Sequence, residues 1–342
     1  MSHVVEYIWL DAVYRARSKT RVLKKKGVFG ITDVPDWNYD GSSTGQVSSG
    51  NTEIILKPQM LYKNPFHRDD KHWLVLCDTN VGVRKEAVEI FDQCLEEEPW
   101  FGLEQEYFIF QKDFDMKRLN LSQGEFYCGI GYGTLNREDN RKFFERIIAE
   151  EHLDACLYAG LNMSGMNAEV ACHQWEFQVG PCEGIAAADQ LHMARYILER
   201  IAEKYDCVID YRPKINNSIN GSGCHVNFST RSTRCEGGLS TMVDKYIPNL
   251  SKFHSEDVLC MGVDNKLRLT GKHETSSMNE FSSGIGTRHT SIRIGNDTFK
   301  DGCGYFEDRR PAANMEPYKV TSLIFKRCVR EPTVPSSGPY AL

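Results

Sequence analysis

The amino-acid sequence predicts a mixed fold, α+β or α/β, built as a small β-rich part followed by a larger part in which strands and helices mix. Its 342 residues exceed what one hydrophobic core usually serves, so two domains are expected. Over residues 1–82, short β-prone runs at 6–10, 19–23, 52–57 and 72–77 are separated by clusters of Gly, Asp, Asn and Pro, the pattern of a small sheet without helices. From Arg84 the period changes: Ala87, Ile90, Phe91, Cys94 and Leu95 recur at helical spacing until Pro99 stops the run. The boundary is therefore set between residues 82 and 83.

Within residues 83–342, helices are predicted near 138–150, 185–205 and 240–259, the last kinked or split by Pro248. The helix from Ile185 should turn Leu191, Leu198 and Ile201 inward and leave Arg195, Glu199 and Lys204 in solvent. No internal repeat, low-complexity tract or long linker is found, which predicts that the two parts pack tightly.

Composition excludes several classes. Hydrophobic residues make up 41% and no apolar run approaches the roughly 20 residues that cross a bilayer, so membrane insertion is not expected. The first residues lack a basic start and a continuous apolar core; they read as a strand rather than a signal peptide, with the cytoplasm as the default compartment. Twelve scattered cysteines without a C-x-x-C pair read as free thiols. A net charge of −6 opposes nucleic-acid binding, and the run Lys24-Lys25-Lys26 reads as a solvated turn.

The chemistry is carried by acidic residues placed where a core should be. Residues 101–110 are apolar enough for an interior strand, yet they hold Glu104 and Glu106, two apart and so on one face. Two buried anions on one face repel at a cost of several kcal/mol (order of magnitude) unless a cation pairs them. A solvated strand is the ordinary reading of such a pair, but other segments repeat the pattern. In 173–179, Glu176 shares the polar face with Gln174 and Gln178, and Glu169 reaches the same place if the chain turns between them. In 223–229, His225, Asn227 and Ser229 share one face, and Glu307 precedes Arg309 by two residues. A lone histidine like His225 is ordinarily a hydrogen-bonded core residue; its company makes it a candidate ligand. Five carboxylates and one imidazole suit two Mg²⁺ or Mn²⁺ ions better than zinc. Arg268, Arg288, Arg293 and Arg309 supply planar, permanently charged donors for phosphate or carboxylate groups.

At these segments the chain closely resembles glutamine synthetase, in its short eukaryotic-type form. The resemblance is carried nearly end to end by Trp37-Asn-Tyr-Asp-Gly-Ser-Ser-Thr44, Trp100-Phe-Gly-Leu-Glu-Gln-Glu-Tyr107, Asn167-Ala-Glu-Val170, Gln174-Trp-Glu-Phe-Gln-Val-Gly-Pro181, Asn220-Gly-Ser-Gly-Cys-His225, Arg268-Leu-Thr-Gly-Lys-His-Glu-Thr275 and Tyr305-Phe-Glu-Asp-Arg-Arg-Pro311. It implies a β-grasp domain over residues 1–82 and a catalytic domain over 83–342 whose curved antiparallel sheet forms a funnel for two or more Mg²⁺ or Mn²⁺ ions. By motif match, Glu106, Glu169 and Glu176 would hold one ion, and Glu104, His225 and Glu307 the ion nearer the nucleotide. ATP would meet Trp100, Glu104, Glu176, Asn227, Ser229, Arg288, Arg293 and Tyr305. Glutamate would meet Asn220, Gly221, Arg268, Arg288 and Arg309.

Ammonia cannot displace hydroxide from a carboxylate, so the γ-carboxylate of L-glutamate must first become an acyl phosphate. Arg309 matches the position beside the transferred phosphate, Asp40 the one that takes a proton from ammonium, and Glu274 a flap that excludes water. The resemblance also implies a homo-oligomer of stacked rings, a decamer, with Asp40 acting on the neighbouring subunit's site. Departures are Ala171-Cys172-His173 in place of a proline-containing link, Ile219 in place of tryptophan, Gly286-Thr287 in place of Ala-Asn, and a start almost at the first strand, expected to alter packing between rings. A ligase for another amine, a guanidino kinase and a non-catalytic descendant are the alternatives. The Asp40 motif argues against the first two, Glu274 also against the first, and the complete ligand set against the third.

Overall fold

Alternation along the strands decides the architecture. In the computed structural model, which describes residues 1–130 and 144–332, the first sheet has the order β2-β1-β5-β4-β3. Its strands are β1 (Ser2–Leu10), β2 (Ala16–Lys24), β3 (Trp37–Asp40), β4 (Glu53–Lys63) and β5 (His72–Thr79). β1 and β5 run parallel and the other pairs antiparallel. The four β-prone runs lie in β1, β2, β4 and β5, and no α-helix occurs between residues 1 and 82. Val5, Tyr7, Trp9, Val75 and Cys77 point to one side, where Phe29 and Val34 cover them. Ile8, Leu74 and Leu76 point to the other, into the core of the second sheet.

The second sheet comprises β6 (Trp100–Gln111), β7 (Met163–Ala168), β8 (Gln174–Glu183), β9 (Cys207–Asp210), β10 (Cys224–Ser229), β11 (Ser283–Ile285), β12 (Ile292–Ile294) and β13 (Phe306–Asp308). Its order is β11-β12-β13-β10-β6-β8-β7, with β9 also paired to β6, and only β11 and β12 run parallel. β6 is the spine. Phe101, Leu103 and Tyr107 pack with Phe177, Val226, Phe228 and the buried side of α3 (Ile185–Lys204), while Glu104 and Glu106 face away.

The helices follow the expected periods with local changes. α1 (Arg84–Phe91) gives way to 3₁₀ turns at Asp92–Glu97 before Pro99. α2 (Glu145–Ala159) covers the end of the stretch predicted at 138–150; residues 138–143 lie outside the described residues. The segment 240–259 is broken as expected: a π-turn at Met242–Tyr246 leads into Ile247–Lys252, whose first turn accepts Pro248, and a further break precedes His254.

α3 differs from its expectation. Glu199 and Lys204 are exposed, but Arg195 is a strut between sheet and C-terminal chain. Its Nε donates to Gln105 Oε1 at 2.8 Å, Nη1 to the Met315 carbonyl at 3.0 Å and Nη2 to the Ala313 carbonyl at 2.9 Å. A fixed planar fork with three acceptors is the reason, and helical periodicity carries no sign of it. Arg84 does the same between the two parts: it donates to both oxygens of Asp189 at 2.8 Å and to Gln59 at 2.8 Å. We expect Arg195→Met to lower unfolding stability by about 2–3 kcal/mol, the scale of lost charged hydrogen bonds. A denaturant midpoint equivalent to less than about 0.5 kcal/mol, as for a solvated arginine, would refute the strut.

Candidate metal centre

Strand register and one turn bring the acidic residues together. Glu104 and Glu106 lie two apart on one face of β6 and so roughly 7 Å from each other along the strand. Across β10, His225 is the register partner of Glu104, and across β8, Glu176 is the partner of Glu106. Glu307 on β13 is paired with Asn227 of β10. Glu169 comes from the turn between β7 and β8, closed by Glu169 N–H donating to the Gln174 carbonyl at 2.8 Å. Two groups result, Glu104, His225 and Glu307 on one side and Glu106, Glu169 and Glu176 on the other, each with ligand atoms all within 4.8 Å of one another.

Burial and mutual repulsion make the Glu106, Glu169 and Glu176 group unfavourable as bare anions. Burial first, then the charge of Glu169, pushes Glu106 up to about 8, although Gly223 N–H donates to it at 2.7 Å. Burial, then the charges of Glu104, Glu106 and Glu169, pushes Glu176 up to about 9. Glu169 is also raised, chiefly by burial. Burial, followed by the Arg309 charge, keeps His225 well below its usual value and hence neutral, the form that binds metals. Divalent cations relieve this repulsion directly, and an oxygen-rich set with one imidazole fits hard ions.

Cations of the protein itself serve mainly Glu307. Arg309 Nη1 reaches Glu307 Oε1 at 2.5 Å and Arg293 Nη1 reaches Oε2 at 3.0 Å. Arg309 also donates to the carbonyls of Arg288 at 3.2 Å and Glu274 at 3.3 Å, while Arg288 lies 3.5 Å from the Glu274 carboxylate. His273 and Glu274 both adopt positive φ, which forms a tight bend there. Arg268 is buried, and its Nη2 donates to the Arg309 carbonyl at 2.8 Å and contacts His225 Nε2 at 3.2 Å.

Two cavities adjoin the clusters. One of about 420 Å³ is lined by Trp100, Glu104, Asn227, Ser229, Arg234 and Tyr305, among others, and the Arg234 guanidinium lies 3.9 Å from the Trp100 ring centroid. Arg288, Arg293 and Glu176, expected beside a nucleotide, are not among its lining residues. A smaller one is lined by Glu106, Glu169, Asn220, Gly221, His225, Arg268, Glu274 and Arg309 with Gln174, His273 and Thr275. Asp40 lines neither cavity. It ends β3, exposed, where the Ser43 and then the Ser42 hydroxyls hold its carboxyl down at about 2.

Sequence reasoning missed four participants. Gln174 donates to the Gly221 carbonyl and Ser222 hydroxyl at 3.0 Å, and Gln178 donates to Glu176 and Asn167; the alternation of β8 already set both on the polar face. Arg234 follows β10 in a helical turn, and Tyr127 hydrogen-bonds Arg288. No local pattern marks either one.

Comparison with known proteins then decides the family. The glutamine synthetase catalytic-domain family matches residues 83–260. A putative glutamine synthetase of Acanthamoeba polyphaga mimivirus is 49% identical over 94% of this chain and 93% of its own. The glutamine synthetase of Saccharomyces cerevisiae is 46% identical over 94% of this chain and 88% of its own. A cytosolic isozyme of glutamine synthetase from Daucus carota is 47% identical over 94% and 93%. The chain belongs to the glutamine synthetase family. Glu104, Glu106, Glu169, Glu176 and His225 fall inside the span matched by the glutamine synthetase catalytic domain, and Glu307 lies beyond it.

Carboxyls with raised pKa retain protons in the folded chain where the unfolded chain has lost them. Stability of the metal-free protein is therefore expected to fall as pH rises from about 4.5 through about 9. Excess Mg²⁺ should raise Tm more at pH 8.5 than at pH 6, because ions compete with these protons. An Mg²⁺ effect independent of pH would show that these carboxyls are not the ligands.

Proposed function

We propose that the two acidic clusters hold two divalent cations, Mg²⁺ or Mn²⁺, in a glutamate–ammonia ligase. Membership in the glutamine synthetase family supplies the reaction: ATP-dependent ligation of ammonia to the γ-carboxylate of L-glutamate, giving L-glutamine, ADP and phosphate. The observation that carries the assignment of the centre is the pair of ligand-like triads on the two sides of one strand, with Glu104 lining the larger cavity and Glu106, Glu169 and His225 the smaller. A carboxylate resists ammonia because hydroxide is a poor leaving group; conversion to γ-glutamyl phosphate removes that barrier. Bound divalent cations supply charge neutralisation for the phosphoryl group.

This chain's own residues fill the remaining roles. The 420 Å³ cavity suits the nucleotide, with Trp100 and Tyr305 offering ring faces and Asn227 and Ser229 polar contacts. Arg288, near the Glu274 carboxylate, and Arg293, paired to Glu307, are the arginines proposed to meet the phosphates. The smaller cavity suits the reacting end of glutamate beside Asn220, Gly221, Arg268 and Arg309. Arg309, paired to Glu307 and next to the Glu274 bend, is suited to spread charge on the transferring phosphoryl group. Glu274, in that bend, acts as the flap that excludes water. Asp40 remains ionised at neutral pH and lies exposed at the end of β3, and so suits an ammonium ion at a neighbouring subunit's site. Residues 1–82 are then a β-grasp domain and 83–342 the catalytic domain, in a cytoplasmic homo-oligomer of stacked rings, proposed as a decamer.

Phosphate release by purified protein with ATP, Mg²⁺, glutamate and ammonium should need all four components, and release undiminished without glutamate would overturn the reading. Glu274→Ala should reduce glutamine formed per ATP cleaved, and an unchanged ratio would remove the flap role. Asp40→Asn should raise the ammonium requirement by at least about tenfold, the lower scale for a positioned proton acceptor. Kinetics matching the parent would take Asp40 out of the reaction.

A further inference from the structure

The turn that delivers Glu169 contains a residue whose backbone is unfavourable for anything but glycine. His173, immediately before β8, has φ +66. A β-carbon is disfavoured in the left-handed region, so such a residue persists where its surroundings hold it. Here they do. His173 Nδ1 lies 2.6 Å from Glu145 Oε1, with side-chain exposures of 9% and 8%. The ring packs 5.6 Å from Phe110 and meets Phe114 edge-on at 5.1 Å, and the His173 carbonyl accepts from Ile109 N–H of β6 at 3.0 Å.

Glu145 is the first residue of α2, where a carboxylate favours the helix dipole. The next residue, Arg146, lies 5.1 Å from the Trp175 ring of β8 and donates to the Gly129 carbonyl at 2.7 Å. The start of α2 is therefore anchored to the sheet independently of His173. From there a buried contact runs to His173, the turn closes through Gln174 N–H on the Ala171 carbonyl at 3.2 Å, and Glu169 emerges at its far end. Glu106 and Glu176 sit on regular strands and need no such support.

We propose that Glu145 and His173 form a buried tether that positions Glu169 toward its cation, so that both are positioning residues for the Glu106, Glu169 and Glu176 site and not for the Glu104, His225 and Glu307 site. This rests on the metal reading above.

The test is Mn²⁺ binding to the full chain by calorimetry and by electron paramagnetic resonance of free Mn²⁺, with unfolding of the metal-free protein measured alongside. His173→Gly removes the anchor while glycine accepts the same φ without strain, so its fold is preserved. It should weaken one of two sites about tenfold or more, the scale for groups that orient ligands, and leave the other within about twofold. The weakened site should be the one that Glu169→Ala removes. Glu145→Ala should behave like His173→Gly, and Glu145→Gln, which still offers an acceptor oxygen, should restore most of the affinity. Wild-type protein that binds fewer than two ions would overturn the metal reading and the tether with it. Two wild-type sites that both survive His173→Gly unchanged, or both weaken alike, would overturn the tether alone.

Discussion

Repulsion among buried carboxylates is the constraint around which the second sheet is organised. Glu106, Glu169 and Glu176 offer oxygens within 4.8 Å of one another in surroundings that push all three toward protonation. Such a group is unfavourable in any fold that lacks compensating charge. The other triad is partly compensated by Arg293 and Arg309 on Glu307.

Strand alternation separates this chemistry from the core that supports it. On β6, Phe101, Leu103 and Tyr107 bury against α3 while Glu104 and Glu106 face the acidic clusters, and Gln105 is gripped by Arg195 from behind. The same division recurs at β13. Glu307 and Arg309 pair on the site face, whereas Asp308 and Arg310 pair on the opposite one, fully buried at 2.6 Å. The Arg310 carbonyl in turn accepts from Asn265 and Arg268. A four-residue run thus holds one ion pair in the reacting space and one in the scaffold, and the second fixes the backbone that carries the first.

Much of this was legible because period-two patterns translate directly into faces. The shared face of Glu104 and Glu106, the polar face of Gln174, Glu176 and Gln178, and the face of His225, Asn227 and Ser229 all follow from alternation. Pairing between distant strands does not. That His225 opposes Glu104, or that Glu169 reaches Glu176 through a turn held by His173, depends on register and on tertiary contacts with no local signature. Arg195 failed for a related reason: its helical position matched a solvated face, but carbonyls at Ala313 and Met315 came from more than a hundred residues away. β3 was missed as a strand because Trp37–Asp40 is short and lies in a turn-rich stretch, its pairing supplied by β4.

The most direct test of the central claim is an anomalous difference map from crystals grown with Mn²⁺ and a non-hydrolysable ATP analogue. The account predicts two peaks per chain, one among Glu106, Glu169 and Glu176 and one among Glu104, His225 and Glu307. Peaks lying elsewhere, or a map with neither triad occupied, would contradict it.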